Sequence, residues 1–488
     1  MTTHLNLQNV PTELSASASA LLSQLERKRE AAAIAVPTND LRVRAQLRSL
    51  HEPITLFGED ASDRRARLRE LLFLAGEIRD AEMADAASDE AASEHDDDGG
   101  EFYSEGSAAL LEARKAIANF SLPRAKARVA AQKAEAGIQL RTHIKHRKAV
   151  KDRLQMFELS GSQIAGERPV SIVRFAPDGE TIAAGNWGGG IKMLSVPDLS
   201  EKRTLRGHTG LVGGISWFPG ATLEGSGVGT ETVNMASGGG EGNVHLWSLE
   251  QDTPLATLQG HSGRVCRVEF HPSGKYLASA SFDTTWRLWD VETATELLLQ
   301  EGHSREVFTV SFNTDGSLLA SAGLDSIGRI WDLRTGRTVM IMDGHIREIY
   351  ALDWGTDGHR VLSGSGDGWI KCWDVRMVRN MGGVGAHRST VSDLRWFKGT
   401  DGPGSGALPE KDEKGDTRPK KSGTFFVSSG YDKNVNIFSA DDWALAKTLS
   451  GHSGNVMSVD VTRDGRWITS SGQDRTVKLW GCDDGLGI

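Results

Sequence analysis

Residues 260–290 have the sequence GHSGRVCRVEFHPSGKYLASASFDTTWRLWD, which begins with a Gly-His pair and ends with a Trp-Asp pair. The pattern returns along the chain, and four of its tryptophans follow one another at steps of 42 residues, namely Trp247, Trp289, Trp331 and Trp373. A period of about 40–45 residues with these two signatures is typical of a β-propeller with one four-stranded blade per repeat. The sequence therefore predicts an all-β propeller over residues 154–488.

Each full repeat also has a histidine, a serine, an aspartate and a tryptophan at fixed offsets. The sets are His261, Ser279, Asp283 and Trp289; His303, Ser321, Asp325 and Trp331; His345, Ser363, Asp367 and Trp373; and His452, Ser470, Asp474 and Trp480. A His-Ser-Asp triplet resembles a hydrolase triad, but an enzyme needs one such site and not one per repeat. We therefore expect a buried hydrogen-bond chain in each blade, and no catalytic residue.

The blade count depends on the two ends of the repeat region. Residues 169–179 match the first strand and turn of later repeats, although Gly166, Ala184, Gly188 and Leu194 occupy the four signature positions. With this degenerate blade the total is seven. The chain ends eight residues after Trp480, so the last blade lacks an outer strand, and we expect residues 155–159 to supply it.

Two insertions interrupt the repeat, at residues 219–234 and 398–423. Both fall between the first and second strands of a blade, so the sequence predicts that they lie on the same face of the disc. The second insertion is rich in Gly, Pro, Glu and Lys, and we expect it to be disordered.

Charge divides the N-terminal third into segments. The chain has a net charge of −9, but residues 77–105 alone have −11 and residues 111–153 have +9. The sequence predicts a flexible, weakly helical terminus over 1–35, a helical hairpin over 36–76, an acidic disordered linker over 77–105 and a basic helical segment over 106–153. The fold class is a seven-bladed WD-repeat propeller behind a mostly helical, partly disordered N-terminal region.

The hairpin at 36–76 has an apolar connector between its helices. A first helix has Asp40 as its N-cap and must stop at Glu52-Pro53, since proline disfavours helical geometry in the preceding residue. A second helix has Leu68, Leu71 and Leu72 on one face. Two interpretations remain open: the hairpin packs on the propeller, or its connector docks into a partner's pocket.

The basic segment predicts two helices, one over residues 107–120 and one that begins at Pro123 with Ser121 as its cap. A solvated basic face is one interpretation, and a nuclear import signal at 145–151 is another. The third is contact with an RNA backbone. The residues that would make this contact are Arg124, Lys126, Arg128, Arg141, Lys145, Arg147, Lys148 and Lys151.

Other classes of function find little support. Three cysteines without paired spacing argue against a disulfide framework or a zinc site. Neither the carboxylates of 94–98 nor the pair His143 and His146 completes a metal site, and the Gly-rich run 225–229 does not join a strand to a helix as a phosphate loop would. We expect no cofactor, no metal, no small-molecule substrate, no secretory signal and no membrane span.

The hairpin sequence resembles a known family. Residues 47–59, LRSLHEPITLFGE, followed by Asp63-Arg-Arg-Ala-Arg-Leu68, are similar to the splicing-factor motif of the WD-repeat subunit of the U4/U6 small nuclear ribonucleoprotein, the pre-mRNA-processing factor four family. Residues 102–106, FYSEG, and 117–125, IANFSLPRA, resemble the same family, and the likeness extends from about residue 36 to the end. His51, where the family has glycine, and the insertion at 398–423 depart from the pattern.

The resemblance implies a nuclear, non-enzymatic scaffold of the U4/U6 and U4/U6·U5 particles that acts in spliceosome assembly. Its implied partners are a spliceosomal cyclophilin, a second U4/U6 particle protein, and U4/U6 RNA directly or through partners. The implied docking residues are Glu52, Pro53, Ile54, Leu56, Phe57, Gly58, Arg64, Arg65 and Arg67. An alternative remains, because Trp331-Asp-Leu-Arg334 and Trp373-Asp-Val-Arg376 match a pattern of propellers that serve cullin ubiquitin ligases as substrate receptors.

Overall fold

The structure, a computed structural model, describes residues 36, 40–50, 52–53, 62–72, 106–401 and 419–482. The predicted flexible terminus 1–35, the acidic linker 77–105 and most of the insertion at 398–423 lie outside the described residues. The chain divides into two compact units, Met1–Glu101 and Phe102–Ile488.

The first unit contains two short helices, α1 (Asp40–Ser49) and α2 (62–72). Val43 and Leu47 of α1 form a small buried cluster with Leu68 of α2, and all three side chains are fully covered. The three- and four-residue spacing of these apolar residues explains why they share one face of each helix. The backbone N–H of Glu52 donates to Leu47 O at 3.0 Å, so α1 ends before Pro53 as its sequence predicts.

The second unit begins with two longer helices, α3 (Ala108–Ala136) and α4 (Leu140–Leu154). We call residues 108–154 the helical arm. The predicted break at Ser121-Pro123 is wrong, because α3 continues through Pro123 and Ser107, whose Oγ accepts from Leu110 N at 3.2 Å, is its N-cap. Proline costs one helical hydrogen bond there. The helix persists because side chains on both sides of Pro123 are held by the propeller, as described below.

Twenty-eight strands follow the helical arm in the described residues. They are β1 (Glu158–Ile164), β2 (Val170–Phe175), β3 (Thr181–Asn186), β4 (Ile191–Ser195), β5 (Glu201–Leu205), β6 (Val212–Trp217), β7 (Met235–Gly239), β8 (Val244–Trp247), β9 (Ala256–Leu258), β10 (Val265–Phe270), β11 (Tyr276–Ser281), β12 (Trp286–Asp290), β13 (Thr295–Gln300), β14 (Val307–Phe312), β15 (Leu318–Gly323), β16 (Gly328–Asp332), β17 (Thr338–Met342), β18 (Ile349–Trp354), β19 (Arg360–Ser365), β20 (Trp369–Asp374), β21 (Arg379–Gly385), β22 (Val391–Trp396), β23 (Phe425–Gly430), β24 (Asn434–Ser439), β25 (Leu445–Ser450), β26 (Val456–Val461), β27 (Trp467–Gly472) and β28 (Thr476–Gly481).

These strands form seven four-stranded antiparallel sheets, which confirms the seven-bladed propeller. Blades 1 to 6 are built from consecutive strands, β2–β5 through β22–β25, with the first strand of each at the centre of the ring. The inner strands are almost wholly buried, as a strand covered on both faces requires. The core lies between adjacent blades, where the apolar side chains of neighbouring sheets meet.

Blade 7 closes the ring by borrowing a strand from the other end of the chain. Its order is β1-β28-β27-β26, and β1 pairs antiparallel with β28 from Glu158↔Gly481 to Ile164↔Thr476. The expected closure is therefore confirmed, but the strand is Glu158–Ile164 and not 155–159. The difference arises because helix α4 continues to Leu154 and Gln155 is its C-cap, so an extended strand cannot begin at Gln155.

The two insertions join β6 to β7 and β22 to β23, the first and second strands of blades 2 and 6. Turns between first and second strands all open onto one face of a propeller, so both insertions emerge on the same face, as predicted. We call this the turn face, and the opposite side, which contains the Gly-His pairs, the His face.

Candidate functional site

The N-terminal hairpin contains the predicted docking residues, of which the structure describes five. Pro53 is exposed and Glu52 half-buried. Arg64 is buried, and Arg64, Arg65 and Arg67 all have interactions within the protein. The connector residues Ile54, Leu56, Phe57 and Gly58 lie outside the described residues. The structure thus shows how the two helices hold together around the connector, and docking stays a prediction.

Helix α3 of the arm is anchored by an apolar face. Leu110, Ala113 and Ile117 are buried in one cluster with side chains of blades 3 and 4, among them Trp286 and Leu333. The spacing of three and four residues places these anchors on one side of the helix. Burying such side chains contributes about 1.5–3 kcal/mol for each large one.

Polar contacts extend the same face of α3 past Pro123. The Arg124 guanidinium donates to Thr314 O at 3.0 Å, and burial lowers the pKa of Arg124 although Asp315 acts against it. Arg128 donates to Asp315 Oδ2 at 2.8 Å and to Asp357 O at 2.9 Å. Asp315 is almost fully buried, so removing Arg128 would leave its carboxylate without its charged partner in a site shielded from water.

Helix α4 of the arm reaches blades 6 and 7. Arg147 pairs with Asp441 at 2.9 Å, and Lys151 pairs with Asp442 at 3.4 Å. Val150 and Leu154 are buried in the cluster between these blades. The arm therefore crosses the turn face from blades 3 and 4 to blade 7, where the chain enters β1.

These contacts divide the eight residues that were predicted to bind RNA. Arg124, Arg128, Arg147 and Lys151 have the propeller partners described above. The other four are exposed, and no ion pair joins them to another residue in the part of the chain that the structure describes: Lys126, Arg141, Lys145 and Lys148. The sequence could not make this division, because charge alone does not distinguish a cation that faces the propeller from one that faces solvent.

The acids that hold the arm were missed by sequence reasoning. Asp315 and Asp357 lie in the turns between the first and second strands of blades 4 and 5, each followed by a glycine with φ of +87° and +73°. An Asp-Gly pair is ordinary turn chemistry, since glycine tolerates positive φ and aspartate bonds to nearby backbone. The one feature of the sequence that points to these acids is their position in turns between first and second strands, which lie on the same face as the two insertions.

The repeated His, Ser, Asp and Trp residues form hydrogen-bond chains inside the blades. In blade 3, His261 Nδ1 lies 2.7 Å from Asp283 Oδ2, His261 Nε2 lies 2.7 Å from Ser279 Oγ, and Trp289 Nε1 donates to Ser279 Oγ at 2.8 Å. Burial disfavours ionised Asp283, but the hydrogen bond and charge interaction with His261, together with the hydrogen bonds from Thr285, outweigh it and lower the pKa of the carboxyl to about 2. A negatively charged Asp283 therefore fixes the histidine.

The same chain is present in five other blades. Its second, third and fourth full copies start at His303, His345 and His452 and have the partners given by their sequence offsets. Blade 2 uses Glu241 in place of aspartate, and blade 6 has His387, Ser428 and Asp432 but Phe438 in place of the donor indole. Six copies of one buried arrangement indicate a structural role.

One group of side chains in the described residues has the composition of a metal site. His208, Glu241 and His245 of blade 2 place their donor atoms within 4.8 Å of one another. Each is already bonded within the protein: His208 contacts Ser237 and Glu241, and His245 contacts Thr257 Oγ1 at 2.9 Å and the backbone of Gly207. Burial lowers the pKa of His245 to about 4. The group is explained as the blade's own hydrogen-bond chain.

The Trp-Asp-x-Arg pattern, which suggested a substrate receptor of a cullin ubiquitin ligase, is also explained by contacts within the protein. The Arg334 guanidinium donates to both oxygens of Asp332, at 3.0 and 2.9 Å, so the Trp-Asp-x-Arg turn of blade 4 is closed on itself. Arg376 lies 3.7 Å from Asp374 in the equivalent turn of blade 5. An arginine that satisfies its own turn needs no partner protein to account for it.

Two family models match the chain. Residues 43–71 match the model described as pre-mRNA processing factor 4 (PRP4) like. Five segments match the model described as WD domain, G-beta repeat, namely 199–248, 252–290, 295–332, 336–374 and 443–481. The unmatched blades include the degenerate blade 1 and blade 6, which has the long insertion and Phe438.

Curated relatives span different shares of the chain. The chain is 38% identical to the U4/U6 small nuclear ribonucleoprotein PRP4 of Saccharomyces cerevisiae over 98% of its own length and 100% of that protein. It is 42% identical over 56% of its length to an uncharacterized WD repeat-containing protein of Schizosaccharomyces pombe, 57% of which is covered. It is 37% identical over 44% of its length to the U4/U6 small nuclear ribonucleoprotein Prp4 of Mus musculus, 41% of which is covered.

Among the described helices, none combines the length and apolar character that crossing a membrane requires.

Proposed function

The chain belongs to the pre-mRNA processing factor 4 like family of WD-repeat proteins, and from this membership we propose that it is a non-catalytic scaffold of the U4/U6 small nuclear ribonucleoprotein and of the U4/U6·U5 particle. It is a component of a splicing ribonucleoprotein and works in the nucleus. The observation that carries the proposal is the match to the yeast U4/U6 protein over both its length and this chain's. The repeated, hydrogen-bonded histidines support a non-catalytic role, because their nucleophile-like serines are all buried.

The hairpin is the proposed docking site for a spliceosomal cyclophilin. Pro53, Ile54, Leu56 and Phe57 are the apolar anchors, and Glu52 and Gly58 flank them. The cluster of Val43, Leu47 and Leu68 supports this role, since it joins the two helices that flank the connector. Arg65 and Arg67 lie on the half-buried side of α2 and are better placed to meet an acidic partner than the buried Arg64.

The helical arm is the proposed RNA contact, with a narrower set of residues than its charge suggests. Lys126, Arg141, Lys145 and Lys148 are exposed and meet the phosphate backbone of U4/U6 RNA, whereas Arg124, Arg128, Arg147 and Lys151 hold the arm on the propeller. The protein also binds a second protein of the U4/U6 particle.

One purification tests the scaffold and the docking site together. The tagged full-length chain, recovered from nuclear extract of its source organism, should bring U4 RNA, U6 RNA and a cyclophilin. The double variant Ile54→Ala, Phe57→Ala should retain both RNAs and lose most of the cyclophilin, because the apolar anchors are gone while the propeller is intact.

A matched control replaces two exposed apolar residues of the propeller, Ile346→Ala and Leu445→Ala, and should leave all three components bound. Recovery of a cullin and its adaptor without U4 and U6 RNA would contradict the scaffold proposal. Retention of the cyclophilin by the connector variant would contradict only the docking site.

A further inference from the structure

The helical arm exposes aliphatic side chains along one side of each of its helices. On α3 these are Leu111, Leu122 and Val129, and on α4 they are Leu140 and Ile144. At about 100° per residue, the three on α3 lie within about 20° of one another and the two on α4 within about 40°. Exposed aliphatic residues usually occur singly on a protein surface. Two aligned stripes on neighbouring helices therefore indicate a binding surface.

The contacts of α3 show which way its stripe faces. Arg114, on the same side of the helix as the stripe, lies against Gly336 in the outer turn of blade 4, the turn between its third and fourth strands. Gln132, also on that side, donates to Asp357 O of blade 5 at 3.0 Å. The ring of Phe120, on the opposite side, lies 5.5 Å from a histidine ring of blade 3. The stripe of α3 therefore faces the outer part of blade 5.

The contacts of α4 turn its stripe toward the same place. Arg147 and Lys151 pair with Asp441 and Asp442 in the outer turn of blade 6, at 2.9 and 3.4 Å. Ile144 lies about 60° from Arg147 and about 20° from Lys151 around the helix, so it is on the side that faces this turn. The arm thus covers the outer turns of blades 4 and 6, and both stripes overlook the outer turn of blade 5 between them.

The outer turn of blade 5 presents further apolar side chains. Met377 and Val378 are both more than half exposed, and Val378 has a φ of +47°, which a β-branched residue rarely adopts. The left-handed residues at the same offset in blades 1 and 6, Leu199 and Trp443, pack against core clusters. Val378 has no such packing to offset its strain, which favours a surface that a partner covers. We call the two stripes with Met377 and Val378 the arm bay.

Cations lie beside the apolar side chains of the arm bay. The exposed lysines of α3 on the side of its stripe are Lys115, Lys126 and Lys133, and none has an ion pair within the described ranges. Of the two acids of α3, Glu135 is on the anchored side and Glu112 lies about 80–100° from the stripe. The outer turn of blade 5 adds exposed Arg379, and its acid Asp374 already faces Arg376 at 3.7 Å. The lysines are therefore left to attract the carboxylates of a partner.

We propose that the arm bay binds one amphipathic α-helix of a protein partner, with an apolar stripe against the bay and acidic residues paired with Lys115 and Lys133. Ala118, Leu122, Ala125 and Val129 follow one another at steps of four, three and four residues, the spacing of a coiled-coil seam. Alanine at two of these positions lets a second helix approach closely.

An acidic helix accounts for the apolar stripes and for the lysines together. A phosphate backbone has no apolar surface to cover five exposed aliphatic side chains, so RNA would account for the lysines alone. The inference does not rest on the RNA contact proposed for the arm, with which it shares only Lys126.

The test uses the purified full-length chain and three fluorescein-labelled peptides followed by fluorescence anisotropy. The seam from Leu111 to Val129 is about 27 Å long, which a helix of three heptads covers. The first peptide repeats Leu-Glu-Ala-Leu-Glu-Ala-Glu three times, the second has Lys for every Glu, and the third has Ser for every Leu. The first peptide should bind, and either change should weaken binding at least tenfold. Absence of binding by the first peptide, or equal binding of all three, would overturn the proposal.

Two double variants locate the helix on the arm. Leu122→Ser with Ile144→Ser should weaken the first peptide at least tenfold, and Lys115→Glu with Lys133→Glu should make the second peptide bind better than the first. The matched controls outside the bay should change neither affinity; they are Leu255→Ser with Ile346→Ser, and Lys275→Glu with Lys433→Glu. Equal weakening by a control and its matched variant would place the peptide elsewhere and overturn the proposal.

Val378→Gly separates binding from folding. Glycine adopts a positive φ without strain, so the melting temperature should not fall, while the first peptide should bind at least threefold more weakly. A lower melting temperature with unchanged peptide affinity would show that Val378 serves the fold, and would contradict the assignment of the bay.

Two further measurements distinguish other occupants. The variant Leu122→Ser with Ile144→Ser should bind U4/U6 RNA as the parent chain does, and loss of its RNA binding would assign the bay to RNA. Light scattering of the parent chain should show a monomer, and a dimer that the same variant abolishes would assign the bay to a second copy. Either assignment overturns the proposal, whereas a parent chain that binds the first peptide but no RNA would contradict only the RNA contact.

Discussion

Ser279 shows how one hydroxyl group satisfies two buried partners. Its Oγ accepts from Trp289 Nε1 at 2.8 Å and lies 2.7 Å from His261 Nε2. Buried polar groups are costly when they lose their partners and contribute little net stability when they keep them. Loss of the serine would therefore leave two buried groups without a hydrogen-bond partner, which explains why serine returns at this offset in blade after blade.

Blades 3 and 6 provide a matched pair for testing this. Ser279→Ala leaves both the Trp289 indole N–H and His261 without a hydrogen-bond partner, so we expect the free energy of unfolding to fall by an amount on the order of 2–4 kcal/mol. Ser428→Ala leaves only His387 without its partner, because Phe438 has no donor, and should lower the free energy of unfolding by about 1–3 kcal/mol. Calorimetric melting should rank the variants in this order, with exposed Ser453→Ala as a neutral control.

A melting temperature that falls equally for Ser279→Ala and Ser428→Ala would show that the indole bond adds nothing. A melting temperature unchanged for both would contradict the structural role of the chains.

The helical arm shows where element-scale reasoning from sequence failed. Pro123 predicted a helix start, but α3 passes through it because Ile117 on one side and Arg128 on the other are both fixed to the propeller. Tertiary contacts of this kind outweigh the loss of one backbone hydrogen bond. The same contacts decide which cations of the arm remain available to a partner.

Reversing the four exposed cations tests the arm as an RNA contact. One variant combines the four substitutions Lys126→Glu, Arg141→Glu, Lys145→Glu and Lys148→Glu. Its affinity for U4/U6 RNA should fall, and the slope of log affinity against log salt concentration should become shallower. Each lost phosphate contact should remove roughly 0.7–0.9 from that slope. Filter binding at several salt concentrations measures both quantities.

The control reverses four exposed cations of the propeller outside the arm, Arg206→Glu, Lys275→Glu, Arg379→Glu and Lys433→Glu, and so has the same change in net charge. An equal effect of the two sets would mean that total charge, and not the arm, governs RNA binding.

At the scale of the whole molecule, the ring is completed by β1, the strand that precedes the first blade in sequence. β1 covers the edge of β28, which would otherwise present unpaired N–H and C=O groups to other molecules. Phe157, just before β1, is buried in the core between blades 6 and 7. The helical arm is therefore tied to the propeller at both its ends.

Truncation tests the closure. A chain that begins at residue 156 keeps Phe157 and β1, and a chain that begins at residue 166 lacks both. The second should melt at a lower temperature and self-associate, as an open sheet edge predicts, whereas the first should remain monomeric in light scattering. Identical melting and monomeric behaviour of the two chains would show that β1 does not stabilise the ring.

The sequence by itself determined the propeller, its seven blades, the hydrogen-bond chains and the family, because each depends on residue types at fixed offsets. A period of 42 residues and a repeated His, Ser, Asp and Trp set survive whatever the surrounding packing is. The hairpin motif at 43–71 is equally local, and its family match required no knowledge of contacts.

Only the tertiary structure decided which charges of the helical arm remain exposed and where the closing strand begins. Arg128 meets Asp315 across 187 positions of sequence, and β1 pairs with β28 from the opposite end of the propeller sequence. Such meetings depend on how the sheets twist around a common axis, and that geometry arises only when all seven blades pack together.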